Sequence, residues 1–262
     1  MDFDRTEHIV GAYYEYTYDN TDDWIIIAGS RFDYNSLFGT IFTPRLHVKY
    51  SPLPASSIRL SAGSGTRTAN VISENTAILA SSRQILFENL ERNDAYGFDQ
   101  DRAWNFGLNI SQDFRLNYHD GIINFDVYHT TFENQVILDL DRNPQEAVFT
   151  SLLGDSYSNS VQLQVDYELV RRLSLRMAFR WLDVQVDYNT GQLEKPLIAR
   201  NRAFLNVEYK TRNNWAFDYT FQWTGQQRLP DTSSNPKGFQ RSEYSDSFLL
   251  MNTQVTKNLK NN

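Results

Sequence analysis

Apolar and polar residues take turns along most of this chain with a period of two, the period of a β-strand and not the 3.6 of a helix. In Val161-Gln-Leu-Gln-Val-Asp-Tyr-Glu168 the alternation has no fault, and Trp215-Ala-Phe-Asp-Tyr-Thr-Phe-Gln-Trp223 sets five aromatics on one face against small or polar groups on the other. Leu173, Leu175, Met177, Phe179 and Trp181 alternate with Ser174, Arg176, Ala178 and Arg180. Ala203, Leu205, Val207 and Tyr209 alternate too, interrupted by Phe204. Successive strand side chains point to opposite faces, so each segment has one greasy face and one wet one. The pattern predicts about eleven strands, at 7–18, 24–34, 45–51, 57–65, 103–116, 122–137, 157–168, 173–187, 201–210, 214–224 and 246–259. Most approach the ten-residue length of membrane-spanning β-structure. Helix signal is confined to residues 74–83, enough for a turn or two.

The connections constrain the fold further. Short ones, rich in turn-forming or polar residues, fall at 19–23, 52–56, 117–121, 170–172 and 211–213; long, mostly polar ones fall between them at 35–44, 66–102, 138–156, 188–200 and 225–245. In an antiparallel meander, alternate connections lie at opposite ends of the sheet. One end is therefore trimmed and the other carries large loops. A soluble sandwich or propeller has no reason for such asymmetry, whereas an outer-membrane barrel has short periplasmic turns and long extracellular loops. Lipid supplies no hydrogen bonds, which forces the backbone into a closed sheet with apolar side chains outside and polar ones toward the lumen. Trp24, Tyr50, Trp104, Tyr167, Tyr209, Trp215 and Trp223 fall near strand ends, where interfacial aromatic girdles sit.

Composition removes other classes. The 262 residues carry 25 basic and 32 acidic side chains, a net charge of −7, with no Lys/Arg-rich stripe to neutralise phosphates, so no nucleic-acid partner is expected. Aromatics make up 14% and hydrophobics 40%, too much for a disordered chain. Cysteine is absent, which excludes disulfides, thiolate metal sites and cysteine nucleophiles. Mean hydropathy is −0.54, and no apolar run approaches the roughly 20 residues of a transmembrane helix. The opening Met1-Asp2-Phe3-Asp4 has no export-signal pattern, the end lacks an aromatic-terminated closing strand, and the strand number is odd where single-chain bacterial barrels are even. The expectation is a piece of a longer protein.

Several local patterns, taken in order, resemble one family. They are Gly29-Ser-Arg31-Phe-Asp33; Pro44-Arg45 followed by Tyr50-Ser-Pro52; Ile58-Arg-Leu-Ser-Ala-Gly63 running into Gly65-Thr-Arg67-Thr-Ala-Asn70; Trp104-Asn-Phe-Gly-Leu-Asn109; Asp126-Val-Tyr128 with Phe132-Glu-Asn-Gln-Val136; Gly225-Gln-Gln-Arg228-Leu-Pro230; and Asn252-Thr-Gln-Val-Thr-Lys257. The ordered set is similar to the C-terminal half of the barrel of TonB-dependent outer-membrane receptors, in particular those of Bacteroidota, over about residues 7–259. The resemblance implies an all-β fold, an antiparallel up-and-down transmembrane β-barrel. It would be partial: about 11 strands of a barrel of about 22 around a plugged lumen. Residues 1–262 then form a partial barrel domain, with the plug and the final strand having no counterpart. The implied function is active transport across the cell outer membrane of a scarce nutrient: ferric siderophore, haem, cobalamin or glycan. Implied partners are outer-membrane lipid, the TonB complex acting through the plug, and a small-molecule or metal-chelate substrate. Two alternatives remain: a complete small outer-membrane barrel (porin, adhesin or membrane enzyme) and a soluble β-sheet carbohydrate-binding protein.

Chemical motifs are sparse. His8, His47, His119 and His129 have no ligand spacing among themselves, and Asp4/His8 or His129/Glu133 would stand roughly 13 Å apart on a strand, so no metal and no cofactor is expected. No Gly-x-Ser-x-Gly or supported acid pair occurs, and no enzyme is expected. Arg31, Asp33, Arg45, Lys49, Arg59, Asp126, Asp166, Glu168, Arg176, Arg180, Glu208 and Asp218 fall on polar faces; they hydrate the lumen and hold a plug, or line a substrate path. Recognition is usually carried by loops. The connection 66–102 combines Arg67, Asn70, Arg83, Arg92 and Tyr96 with Glu74, Glu88, Glu91 and Asp94, and 225–245 carries Arg228, Lys237 and Arg241. Arg67, Asn70 and Arg228 are the ligand-binding candidates. Arg67 could clamp an anion bidentately or serve as a structural arginine at the barrel rim.

Overall fold

The computed structural model describes residues 5–20, 23–88, 97–152, 154–188 and 191–259. Its strands are β1 (Ile9–Asp19), β2 (Trp24–Asn35), β3 (Gly39–Leu53), β4 (Ser56–Arg67), β5 (Gln84–Phe87), β6 (Asp101–Leu116), β7 (His119–Asn134), β8 (Val136–Asp139), β9 (Glu146–Ser151), β10 (Ser156–Val170), β11 (Leu173–Tyr188), β12 (Gly191–Glu194), β13 (Asn201–Lys210), β14 (Trp215–Thr224) and β15 (Phe248–Lys257). Eleven pair side by side in the order β1-β2-β3-β4-β6-β7-β10-β11-β13-β14-β15, with β12 folded back on the end of β11. All these pairings are antiparallel. Each of the eleven expected strands is present. Among the described residues, β1 and β15 pair on one side only, so the sheet is an unclosed part of a barrel wall.

Register turns the alternation into rows that run across the sheet. On one face Tyr50, Ile58, Ile110, Phe125, Leu163, Phe179, Ala203, Trp223 and Leu249 are successive cross-strand partners. The adjacent row is Val48, Leu60, Leu108, Val127, Val161 and Trp181. These side chains are uncovered: Leu163 is 46%, Phe179 47% and Trp223 38% exposed. In water such a face would forgo roughly 1.5–3 kcal/mol of burial per large side chain; hydrocarbon removes that cost. The residues in between form rows on the opposite face, such as Lys49, Arg59, Asn109, Asp126, Gln162, Arg180, Arg202 and Thr224. That face is wet and faces the lumen. The eleven buried hydrophobics of the described chain, from Ala69 to Ala199, lie in the long connections or at strand ends beside them. Among the described residues no buried core underlies the middle of the sheet, which removes the support for the soluble β-sheet alternative.

The trimmed end is built by tight turns. Asn117 and Tyr118 both have positive φ (50° and 65°) between the paired Leu116 and His119, a two-residue turn whose twist matches the strands. On the outward face nearby, Phe114 lies over Gly121: a Cβ there would stand 2.3 Å from Phe114 Cζ. Phe114 in turn stacks on Tyr167 at 5.7 Å, and Trp24 stacks on Tyr50 at 4.3 Å, as a girdle requires. Gly121→Ala is expected to push Phe114 off its seat and cost the receptor about 1–2 kcal/mol, the range for a mildly overpacked contact. Urea unfolding in lipid vesicles measures it; unchanged stability would show that Phe114 has no fixed place.

Three expectations need correction. The connection 35–44 is not long: β3 begins at Gly39 (φ 77°) and pairs with β2 from there, leaving three residues between strands. Pro44 suggested a loop, yet it sits within β3 where pairing with β2 continues and pairing with β4 has not begun. Short and long connections therefore do not alternate without exception. The strand expected to end at residue 137 stops at Asn134, and Val136 and Ile137 belong to β8 in a separate sheet, ordered β5-β9-β8. The helical signal over 74–83 resolves into α1 (Val71–Glu74) and a 3-10 turn over Thr76–Ala80.

Candidate functional site

The long connections of the loop end pack on one another. Strand β9 runs parallel to β5 and antiparallel to β8, and Ala147, Val148 and Phe149 on it are at most 1% exposed. On β8, Val136 and Leu138 pack against Ala69, Val71, Phe98 and Phe149, while Ile137 turns the other way to Val186 and Tyr188. Apolar residues run without a break in β8 because both of its faces are covered. Arg83 ties the assembly, donating to the carbonyls of Leu140 (2.9 Å), Asn143 (3.4 Å) and Glu146 (2.9 Å). Burial pushes its guanidinium below the usual arginine range.

Arg67 closes β4 and faces Asp101 at 2.7 Å and Glu74 at 3.1 Å, with its side chain 59% exposed. Asp101 also accepts the Val136 N–H at 2.9 Å. Asn70 accepts from Arg5 at 2.8 Å, and its own N–H donates to Glu74 at 3.1 Å. Arg67 and Asn70 therefore meet around one carboxylate. Arg228 shares no partner with them. Its guanidinium grips Asp141 through two hydrogen bonds (2.9 and 2.7 Å), and its Nε donates to the Glu194 carbonyl at 2.5 Å. Burial alone would lower this guanidinium; the Asp141 hydrogen bonds and charge outweigh it and raise it. Arg92, Tyr96, Glu91 and Asp94 lie outside the described residues.

Beside Arg67 opens a cavity of 350 Å³, walled by Val71, Ile137, Phe149, Val186 and Tyr188, with Arg67, Glu74, Asn75, Gln135 and Lys195 among its polar groups. Desolvation, and then the Arg67 charge, push the Lys195 ammonium below the usual lysine range, although much of the residue stays exposed. The size falls in the range of small-molecule pockets; the wall is largely apolar, Arg67 is already paired with Glu74 and Asp101, and Lys195 is the charged lining group without an ion pair among the described residues. Sequence reasoning missed Gln135, Tyr188 and Lys195 as site residues: Gln135 falls at a variable position of the pattern 132–136, Tyr188 and Lys195 carry no motif, and the three meet only through the loop fold. At the opposite end, on the wet face, a wider hollow of 1040 Å³ is lined by Asp113, Asp120, Asp166, Glu168, Glu208 and Asp218 against Arg115 and Arg176. Among the described residues no group of three His, Asp or Glu could hold a metal.

The chain matches the family model described as TonB dependent receptor-like, beta-barrel over residues 2–262, and it belongs to that family. Its wall is therefore a barrel wall of the bacterial outer membrane. No curated protein matches it. Among solved structures it is similar to the ferric enterobactin receptor of Pseudomonas aeruginosa (TM-score 0.72, 11% identity, 99% of this chain and 39% of that one). It is similar also to the siderophore receptor PirA of Acinetobacter baumannii (0.69, 11%, 95% and 39%) and to FpvA of P. aeruginosa bound to pyoverdines (0.64, 15%, 95% and 32%). The chain thus spans well under half the length of these receptors.

Proposed function

We propose that this chain is the C-terminal part of the barrel of a TonB-dependent transporter, its plug and closing strand lying in the rest of the protein. The protein takes up a scarce small molecule or metal chelate of the siderophore, haem, cobalamin or glycan class. The observation that carries this reading is the one-sided wall: lipid-facing apolar rows, a wet inner face, and every large connection packed into one assembly at the same end. That assembly offers the first contact with cargo, with Arg67 lining the 350 Å³ cavity and Asn70 joined to it through Glu74. Arg228, engaged by Asp141, holds the loops rather than the ligand. Capture is followed by rearrangement of the plug, driven by the TonB complex, and no catalysis is involved.

The test is uptake of labelled ferric siderophore, haem, cobalamin and oligosaccharide by cells with and without the full-length gene, before and after collapse of the proton-motive force. Energy-dependent uptake of one class, with cargo binding at the surface weakened about tenfold by Arg67→Gln, is the expected result; about 1.4 kcal/mol, one charged hydrogen bond, corresponds to that factor. Uptake indifferent to energy would mean a passive porin instead.

A further inference from the structure

The lumen face carries cations of two kinds. Arg31 is paired with Asp33, Arg45 with Glu15, Arg176 with Asp166 and Lys210 with Glu208. Four others, Lys49, Arg59, Arg180 and Arg202, all in a single register row, form no ion pair among the described residues. Within that row Lys49 stands directly opposite Arg59, and Arg180 directly opposite Arg202. Directly opposed residues have Cβ atoms about 4.5–5.5 Å apart, and like charges so placed repel. The row offers no relief of its own. Asp126, its only carboxylate between the pairs, is two strands from Arg59 and two from Arg180, roughly 10 Å in each direction, and it accepts from Asn109 at 2.7 Å. Two cationic prongs a few ångströms apart on a concave polar wall match the two oxygens of one oxyanion, which an arginine fork grips best.

We propose that each of these like-charged pairs, Lys49/Arg59 and Arg180/Arg202, is a seat for an oxyanion of the carboxylate or phosphate class presented from the lumen. The seats are about five strand spacings apart centre to centre, roughly 24 Å along the sheet. They are also stepped: Lys49 and Arg59 lie toward the short-turn ends of their strands, whereas Arg180 is at mid-strand and Arg202 next to the loop end of β13. The inference rests on the inward assignment of this row and not on transport.

The experiment is thermal unfolding of the purified full-length receptor, unsubstituted and with Lys49→Gln/Arg59→Gln or Arg180→Gln/Arg202→Gln, in potassium phosphate and in potassium chloride of equal ionic strength. Glutamine keeps the wall polar and removes only the charge. If a free anion fills the seats, phosphate raises the Tm of the unsubstituted receptor and raises that of each double variant, which keeps one seat, by less. If carboxylates of the receptor's own plug fill them, phosphate has no effect and each double variant lowers the Tm by about 1 °C, a small shift because the full-length receptor is more than twice the length of this chain. Both results support the seats and tell the two sources apart. The proposal is overturned if phosphate has no effect and the variants leave the Tm unchanged or raise it, the signature of repulsion simply relieved. An equal phosphate response in all three proteins overturns it too.

Discussion

Leu163→Arg is expected to destabilise the membrane-inserted receptor by about 2–4 kcal/mol, while Gln162→Arg, one residue away, costs less than 1 kcal/mol. Leu163 is the central residue of β10 and lies in the outward row between Phe125 and Phe179. An arginine there meets hydrocarbon at mid-depth, where depth-dependent penalties are greatest. Gln162 projects to the wet face between Asp126 and Arg180; an arginine there keeps its water, and its attraction to Asp126 offsets its repulsion from Arg180, each worth under about 1 kcal/mol. Urea titration of the full-length receptor folded into phospholipid vesicles separates the two. Equal costs would mean that both faces meet the same solvent, and the barrel assignment would fail. The comparison is demanding because the substitutions share a strand, a charge and a size, and differ only in the direction of the side chain.

The eleven wall strands were legible because each meets lipid on one side and water on the other, which writes period two into the sequence. Where both faces are covered, that signal vanishes. Val136-Ile-Leu and Ala147-Val-Phe show unbroken apolar runs because β8 and β9 are packed on both sides, and by pattern alone Val136 and Ile137 read as the end of β7. Pro44 misled differently: it is a loop signal on its own, but tolerable in a strand at a point where one neighbour is not yet paired. The site was less legible than the fold. Arg67 and Asn70 stand close in sequence and meet at Glu74, whereas the Arg228 partner, Asp141, is 87 residues away, and no spacing rule reaches that far. The cation row is a property of register, fixed only when seven strands are aligned.

Arg228→Met is expected to remove about 3–5 kcal/mol from the loop assembly while leaving the barrel wall folded. The pair is buried, with the Arg228 and Asp141 side chains 8% and 7% exposed, and removing one partner leaves the other as an uncompensated charge in a low-dielectric site. The guanidinium also joins three connections, through Asp141 between β8 and β9, through the Glu194 carbonyl that ends β12, and through its own backbone after β14. Loss of the pair therefore releases all three together. The double change Arg228→Met/Asp141→Leu is expected to recover most of that stability, because it removes both charges and keeps the volume apolar. It still leaves the Asp231 N–H without Asp141, its acceptor at 2.9 Å; Asp231 is exposed, and water replaces that bond at little cost. Amide hydrogen exchange over residues 136–151 and 225–245 of the full-length receptor reads the effect, with β10 and β11 as the internal reference. Exchange that quickens in the single variant and slows again in the double identifies the pair as the lock of the loops. Unchanged exchange in the single variant would show that the β5-β9-β8 sheet and its apolar packing hold the loops without it, leaving Arg228 free for a ligand.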